Sequence, residues 1–482
     1  MMEEIMPDTN LENKVVTRFA PSPTGFMHIG GVRTALYAWL FARKYNGTFI
    51  LRIEDTDKKR EVEGSMEHII KSLKWLGISW DEGPDIGGKN APYLQSERLE
   101  SYNKYAQILI NKGLAYPDPY TAEELENFRK QAEENKKPFL YRDYRPENFG
   151  IWDGTKALRF KTPEIKSYKW NDAVYGELSA GPEALDDFIL IKSDGYPTYN
   201  FAHIIDDLEM GVTHIMRASE FISSTPKFLS LYEALEITPP VIATLPPILA
   251  DGGNKKLGKR DGAKDILDYK EEGYLPQAMM NFLAMLGWNS GTEKDIFTKD
   301  ELIDSFSLDR IQVSGAQVNI SKLDWMNKEH MKLLPYEEIK RNILEWLPLD
   351  KRNPKLIPII FDRISKWSDV TGMVEAGELD FFFTLGDYDK ENLIYKDIPK
   401  EKIFSNISLA IECLEKIEEK DFNIENIKNS LMSIADTLES RGELLHPIRY
   451  ALSGLSKSPD PFIIASILGK IETLKRLQNA IK

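Results

Sequence analysis

Cysteine is nearly absent from this chain of 482 residues: Cys413 is the single one. That excludes an internal disulfide and any zinc site built on several thiolates. Cys413 falls in the apolar phase of "ISLAIECLEKI", so it is expected in a core. Histidine is scarce too, and its six copies show no HxxxH ligand spacing. No apolar run approaches the roughly 20 residues of a membrane span. The first ten residues, "MMEEIMPDTN", are acidic and carry no apolar stretch, unlike a secretory or transit peptide, so a cytoplasmic location is expected. Positive charge is in deficit, with 62 Lys and Arg against 76 Asp and Glu. The net charge of −14 argues against indiscriminate nucleic-acid binding, while a local basic patch remains compatible with a specific RNA partner.

What is present reads as a multidomain globular chain, 42% hydrophobic and 29% charged. "KVVTRFA" (14–20) reads as a buried strand, and "APSPTGFMHIGG" (20–31) as the loop that follows it. Val32, Ala35, Leu36, Trp39 and Leu40 then recur at helical spacing. "TFILRIED" (48–55) reads as a second buried strand, and Met66, Ile69, Ile70, Leu73 and Leu76 as a second helical stripe. This is the βαβα rhythm of a parallel sheet. The pattern loosens between Pro92 and Ala184, which suggests an inserted subdomain. The sheet is expected to resume at "DDFILIKSDGYPTY" (186–199) and "HIMRAS" (214–219). Beyond Asn327 nearly everything reads helical, with stripes at Ile403, Ile407, Ile411, Leu414 and at Ile464, Ile467, Leu468, Ile471, Leu474.

Four segments carry candidate chemistry. In "RFAPSPTGFMHIGG" a loop leaves the first strand and enters a helix, where free N–H groups and the helix dipole favour phosphate. Neither a Walker pattern nor GxGxxG is present; His28 stands at the helix entry, and Gly30 and Gly31 allow close backbone approach. In "LRIEDTD" (51–57) Glu54, Asp55 and Asp57 follow a buried strand. They suit an ammonium-binding carboxylate, a magnesium site or a helix-capping loop. In "SDGYPTYN", "HIIDD" and "MRASE", Tyr199 and His203 share a helical face. Arg217, at a strand end, suits either bidentate carboxylate binding or an ion pair with Asp206 or Asp207. In "GGNKKLGKRDGAKD" (252–265), Lys256, Lys259 and Arg260 sit on glycine-rich chain. They suit either a loop that neutralises a leaving polyphosphate or a solvated hairpin.

Together these segments resemble the bacterial-type glutamyl-tRNA synthetases, class I aminoacyl-tRNA synthetases. "RFAPSPTGFMHIGG" is similar to that family's HIGH signature, and "NKKLGKRDGA" stands in the place of its KMSKS-type loop. "FILRIEDTD", "LGISWDEGP", "YLQSERL", "SDGYPTYNFA", "LDWMN" and "HPIRYALSG" follow in family order over nearly the whole chain. The resemblance implies an α/β Rossmann-like parallel-sheet catalytic domain with an inserted acceptor-binding subdomain, then an all-α C-terminal anticodon-binding region. The expected boundaries are 1–91 and 186–250 for the two catalytic halves, 92–185 for the insertion, and 251–326 for the KMSKS-type loop and stem-contact helices. The anticodon region is expected at 327–482, split near 385. A glutaminyl-tRNA synthetase, the sister enzyme, usually ends in β-barrels, which the helical C-terminal third opposes.

The implied reaction is ATP-dependent ligation of L-glutamate to tRNA(Glu) through glutamyl-adenylate, with Mg2+ accompanying ATP, no zinc, and a monomeric enzyme. In this family tRNA commonly binds before glutamate is activated. The alternative is a non-discriminating enzyme that also charges tRNA(Gln). By resemblance His28, Lys256 and Lys259 are catalytic. Gly30, Gly31, Glu220, Ile248 and Leu249 join them in holding ATP. Arg18, Ser22, Glu54, Tyr199, His203 and Arg217 bind glutamate, and Arg449 and Arg363 read the anticodon. Two positions depart from the family: Gly258 stands where Ser is usual before the second lysine, and His203 where Asn or a small residue is often found.

Overall fold

The computed structural model of the chain describes residues 14–250, 253, 255, 257 and 264–482. It comprises two compact units, Met1–His330 and Met331–Lys482. The first opens with β1 (Val16–Phe19), α1 (Ile29–Lys44), β2 (Thr48–Leu51) and α2 (Ser65–Trp75). β1 stops short of Pro21 and Pro23, which lack the N–H a ladder needs. The predicted stripe of α1 holds: Val32, Ala35, Leu36, Trp39 and Leu40 are all buried, each contributing about 1.5–3 kcal/mol or, for alanine, less. In α2, Ile69 and Leu73 are buried, while Met66 and Ile70 pack at the edge of the same core.

There follow α3 (Leu99–Asn111), β3 (Ala115–Pro117), α4 (Ala122–Glu134), β4 (Leu158–Phe160), β5 (Tyr168–Asp172) and β6 (Gly176–Ala180). Next come β7 (Ile189–Ile191), α5 (Tyr199–Glu209), β8 (His214–Ala218), α6 (Thr225–Leu235), β9 (Val241–Leu245) and β10 (Ile248–Leu249). The main sheet has the order β2-β1-β8-β9-β5-β6, parallel except for β6. A smaller antiparallel sheet has the order β3-β4-β7.

Two placements differ from expectation. The β5–β6 hairpin, expected inside the insertion, joins the edge of the main sheet. Asp172 ties it there by accepting the Thr244 backbone N–H at 3.1 Å and hydroxyl at 2.5 Å. The segment 186–199, expected to resume the parallel sheet, instead lends β7 to the smaller one. β7 is only three residues long, and the chain reverses at Asp194–Gly195, where Lys192 N–H donates to Tyr196 O at 2.8 Å. An apolar run signals burial; it does not name the strand beside it.

The first unit ends with α7 (Ile266–Glu271), α8 (Pro276–Met285), α9 (Lys299–Ser305), β11 (Ala316–Gln317, parallel to β10) and α10 (Ile320–Lys332). The second unit is helical among its described elements: α11 (Tyr336–Trp346), α12 (Ile357–Arg363), α13 (Asp369–Glu375), α14 (Lys400–Glu415), α15 (Ile424–Ala435), α16 (Gly442–Ser453) and α17 (Pro461–Ala480). On α14 the stripe Ile403, Ile407, Ile411 and Leu414 is buried as predicted, but Cys413 is only half-buried, beside the core rather than in it. The last predicted stripe fails. α17 breaks at Gly469, whose φ of 78° resets the helical phase. Ile464 is buried, Ile471 is 72% exposed, and the inward face beyond the break is Thr473, Arg476, Leu477 and Ala480.

Candidate active site

β1 lies between β2 and β8, so the strand order reverses at β1, the crevice where open α/β sheets take ligands. Arg18 and Arg217 stand one residue before the ends of β1 and β8, each 5% exposed. Between these strand ends, the start of α1 and the start of α5 is a cavity of about 680 Å³. Its walls include Arg18, Ser22, Gly31, Glu54, Asp57, Tyr199, Arg217 and Glu220, so the fold brings together eight of the residues singled out from sequence.

The floor is an ion network. Arg18 donates through Nε to Asp207 Oδ1 at 3.1 Å and through Nη2 to Oδ2 at 3.3 Å. Arg52, fully buried, donates to Asp207 Oδ1 at 2.8 Å and to Glu54 Oε1 at 3.4 Å. Asp206 receives Arg98 Nε at 2.7 Å, Gln95 Nε2 at 2.8 Å and the Tyr102 hydroxyl at 3.0 Å. Burial works against the charged Asp207, but Arg18 and Arg52 hold its carboxyl down at about 2. Glu54 has the opposite balance: burial pushes its carboxyl up to about 7, only partly opposed by Arg52 and Arg18.

Arg217 is different. With Asp206 and Asp207 occupied by other arginines, the ion pair considered for it does not form. Its Nη2 donates to the Thr225 hydroxyl at 2.6 Å, its guanidinium lies 5.2 Å from the Phe228 ring centre, and its Nε has no partner. Burial lowers its pKa. Among the described residues no carboxylate pairs with it, so its buried guanidinium has no ion partner there. Beside it Tyr199 stacks on His203 at 4.6 Å. His203 accordingly lies behind the wall rather than in it: it is 1% exposed, its Nδ1 donates to Tyr199 O at 2.7 Å, and burial depresses its pKa to about 3.

A second cavity of about 410 Å³ is lined by Thr24, Gly25, Phe26, Met27, His28, Val62 and Asp265, and Thr24 faces both cavities. His28 caps α1 by accepting the Gly30 N–H on Nδ1 at 3.0 Å, which leaves its ring proton on Nε2. A Cβ on Gly30 would come within 2.8 Å of that ring, so the cap requires glycine. At Gly31 a Cβ would meet only Met27 Cε, at an ordinary contact distance of 3.8 Å, and the lack of a side chain leaves room in the cavity it lines. The structure does not bring Gly30, Ile248 or Leu249 to either cavity wall. The carbonyls of Ile248 and Leu249 already accept Leu257 N–H at 2.8 Å and Val318 N–H at 3.1 Å. Lys256, Gly258, Lys259 and Arg260 lie outside the described residues.

The three acidic residues after β2 diverge. Glu54 turns to Arg52, Asp55 accepts from Ser96 and Lys58, and Asp57 pairs with Arg60 at 2.6 Å. They do not form a magnesium ligand set, and among the described residues no group of three or more His, Cys, Asp or Glu could hold a metal ion. Sequence reasoning missed Asp207 as the partner of Arg18, and missed Gln95 and Thr225. The adjacent Asp206–Asp207 on a buried helical face was the available signal, because buried carboxylates demand cations. No helix among the described residues is long and apolar enough to cross a membrane.

In the second unit, Arg363 lines a cavity of about 1120 Å³ with Tyr336, Phe422, Lys457, Ser458 and Pro459, and is ion-paired to Glu378. Arg449 is not on that wall, but its Nη2 donates to Ser456 O at 2.9 Å, beside the lining residues 457–460.

Known proteins resemble this chain over nearly its whole length. Residues 14–325 match the family model described as tRNA synthetases class I (E and Q), catalytic domain, and residues 330–481 match the anticodon binding domain. The chain is 42% identical to the glutamate–tRNA ligase of Clostridium botulinum, over 98% of this chain and 99% of the relative. It is 38% identical to that of Dehalococcoides mccartyi, over 98% of both. A crystal structure of a glutamate tRNA ligase from Elizabethkingia meningosepticum, in complex with its amino acid, superposes with a TM-score of 0.86 at 34% identity, covering 97% of this chain and 99% of that one. The chain belongs to the glutamate–tRNA ligase family of class I tRNA synthetases.

Proposed function

We propose that this protein ligates L-glutamate to the 3′ end of tRNA(Glu) at the expense of ATP. A glutamate α-carboxylate oxygen attacks the α-phosphorus of ATP, the bond to the β-phosphate breaks, and pyrophosphate leaves. A ribose hydroxyl of the terminal adenosine then attacks the glutamyl carbonyl, giving glutamyl-tRNA and AMP. No side-chain nucleophile is needed; positioning and charge compensation carry the chemistry. Mg2+ would arrive on the ATP phosphates.

The observation that carries the reading is Arg217, a buried guanidinium in the cavity wall with no carboxylate partner among the described residues. Arg217, with Arg18 and Tyr199, would take the substrate carboxylates, and Glu54 and Ser22 the end bearing the ammonium. Glutamine would leave the guanidinium buried and unpaired, a penalty of about 3–5 kcal/mol, enough for selection without editing. His28 with its Nε2 proton, the bare edge at Gly31, and Lys256 and Lys259 would hold ATP, with Glu220 on the nucleoside. The inserted segment would grip the acceptor end. In the second unit Arg363 and Arg449 would read the anticodon, where splayed bases stack on guanidinium and aromatic planes.

The test is charging of purified tRNA(Glu) and tRNA(Gln), separately, with labelled glutamate. Charging of tRNA(Glu) alone is expected. Robust charging of tRNA(Gln) would replace the discriminating reading with the non-discriminating one, and charging of neither would overturn both.

A further inference from the structure

His68, on α2, touches both walls of the His28 cavity. Its side chain is 11% exposed. Its Nε2 lies 2.8 Å from Asp265 Oδ2 and 2.9 Å from Oδ1. Its ring stacks on Phe26 at 4.6 Å and 24°. Its Nδ1 accepts the Met27 N–H at 3.4 Å. Because that N–H needs a lone pair on Nδ1, the ring proton sits on Nε2 and is donated to Asp265. Ser72 lies on the same side, donating its hydroxyl to His68 O at 2.7 Å, one turn back along α2.

Phe26, Met27 and His28 form one wall of this cavity and Asp265 the other. The two walls already meet through the backbone: Ile266 N–H donates to Met27 O at 3.0 Å, and His28 and Asp265 form an isolated bridge. Asp265 also caps α7 through Leu267 N–H, at 2.9 Å. Phe26 is 49% exposed, so its stack on His68 is a principal restraint on that ring. In sequence Asp265 stands just after the Lys256–Lys259 segment.

We propose that His68 is a positioning residue for ATP, clamping the Phe26–His28 wall against Asp265 so that His28 and the entry to α7 keep a fixed separation. The inference rests on the reading of the His28 cavity as the ATP side of the site. Loss of the clamp leaves that separation to the two backbone contacts alone, and misplacement of this kind acts on the nucleotide while leaving the wall at Arg217 intact.

The experiment is ATP–pyrophosphate exchange with tRNA present, varying ATP and glutamate independently, for the full-length wild type, His68→Leu, His68→Gln and Asp265→Asn, with thermal melting of each. In His68→Leu the KM for ATP is expected to rise about tenfold, the equivalent of one lost buried hydrogen bond, with the KM for glutamate within about twofold. His68→Gln, whose amide N–H can still reach Asp265, is expected to recover most of the loss. Asp265→Asn keeps a capping oxygen but weakens the clamp, and is expected to fall between. An unchanged KM for ATP in a folded His68→Leu, or equal losses for ATP and glutamate, would overturn the clamp. If His68→Leu does not fold, His68→Gln and Asp265→Asn decide by the same split. A wild type without exchange would instead overturn the proposed function.

Discussion

Arg18 and Asp207 face each other fork to fork beneath the cavity, with Nε to Oδ1 at 3.1 Å and Nη2 to Oδ2 at 3.3 Å. The charge of Arg18 is therefore met inside the protein, while among the described residues no carboxylate meets that of Arg217. Replacing Asp207 with Asn leaves Arg18 and Arg52 without their shared carboxylate. Stability is expected to drop by about 3–5 kcal/mol in urea unfolding, because a buried cation stays behind. A drop below 1 kcal/mol would mean that the pair is not holding the floor.

Arg217 should matter most to the choice of amino acid. Arg217→Ala is expected to lower kcat/KM for glutamate by about 30-fold to several thousand-fold, the equivalent of about 2–5 kcal/mol. Discrimination against glutamine should shrink with it. Arg217→Lys keeps the charge but loses the planar fork, so it should recover only part of the activity.

Glu54 predicts a pH dependence. Burial holds its carboxyl at about 7, so it is charged only above that pH. An ammonium group requires the charged form, so the KM for glutamate should rise as pH falls from about 8 to about 6, by up to about tenfold per unit below the pKa. Glu54→Gln should show a high KM that no longer varies over this range. The same group makes stability decline as pH rises toward 7, because the folded state binds this proton more tightly than the unfolded chain. Denaturation of Glu54→Gln across pH should lack that slope.

Lys256 and Lys259 are expected to act on charge that develops as pyrophosphate leaves. Alanine at either should slow adenylate formation about 100- to 1000-fold. Filter binding of tRNA should change little, and equal losses in both assays would argue against the assigned role.

In the second unit, alanine at Arg363 or Arg449 should raise the KM for tRNA by the equivalent of about 1–3 kcal/mol, the range for loss of a base contact. The KM for ATP at saturating tRNA should stay the same. An effect confined to melting temperature would make these arginines structural, as the Glu378 ion pair and the Ser456 hydrogen bond would allow.

Much of this was legible in the chain. The period of Val32, Ala35, Leu36, Trp39 and Leu40 predicted α1, because a helix turns the same face inward every three to four residues whatever it packs against. The loop before it, the carboxylates after β2 and Arg217 at the end of β8 could be placed because strand ends are local features. Helical spacing puts His203 on the face of Tyr199, as their ring stack has it, but does not say which of the two stands in front. The stripe past Ile467 failed because one glycine, Gly469, in the left-handed region resets a phase that composition cannot see.

By itself the sequence determined the alternation of strand and helix, the helical second unit, and the residue types available for binding anions. Only the tertiary structure decided which of these arginines has a carboxylate partner among the described residues. Asp206 and Asp207 lie more than a hundred residues from Arg52 and Arg98 in the chain, and Asp207 stands 189 residues from Arg18. Spacing cannot assign such pairs, because they form when β1, β2 and α5 meet at one sheet edge. With those carboxylates taken, none among the described residues pairs with Arg217, and on the proposed reading its buried charge would select a carboxylate ligand.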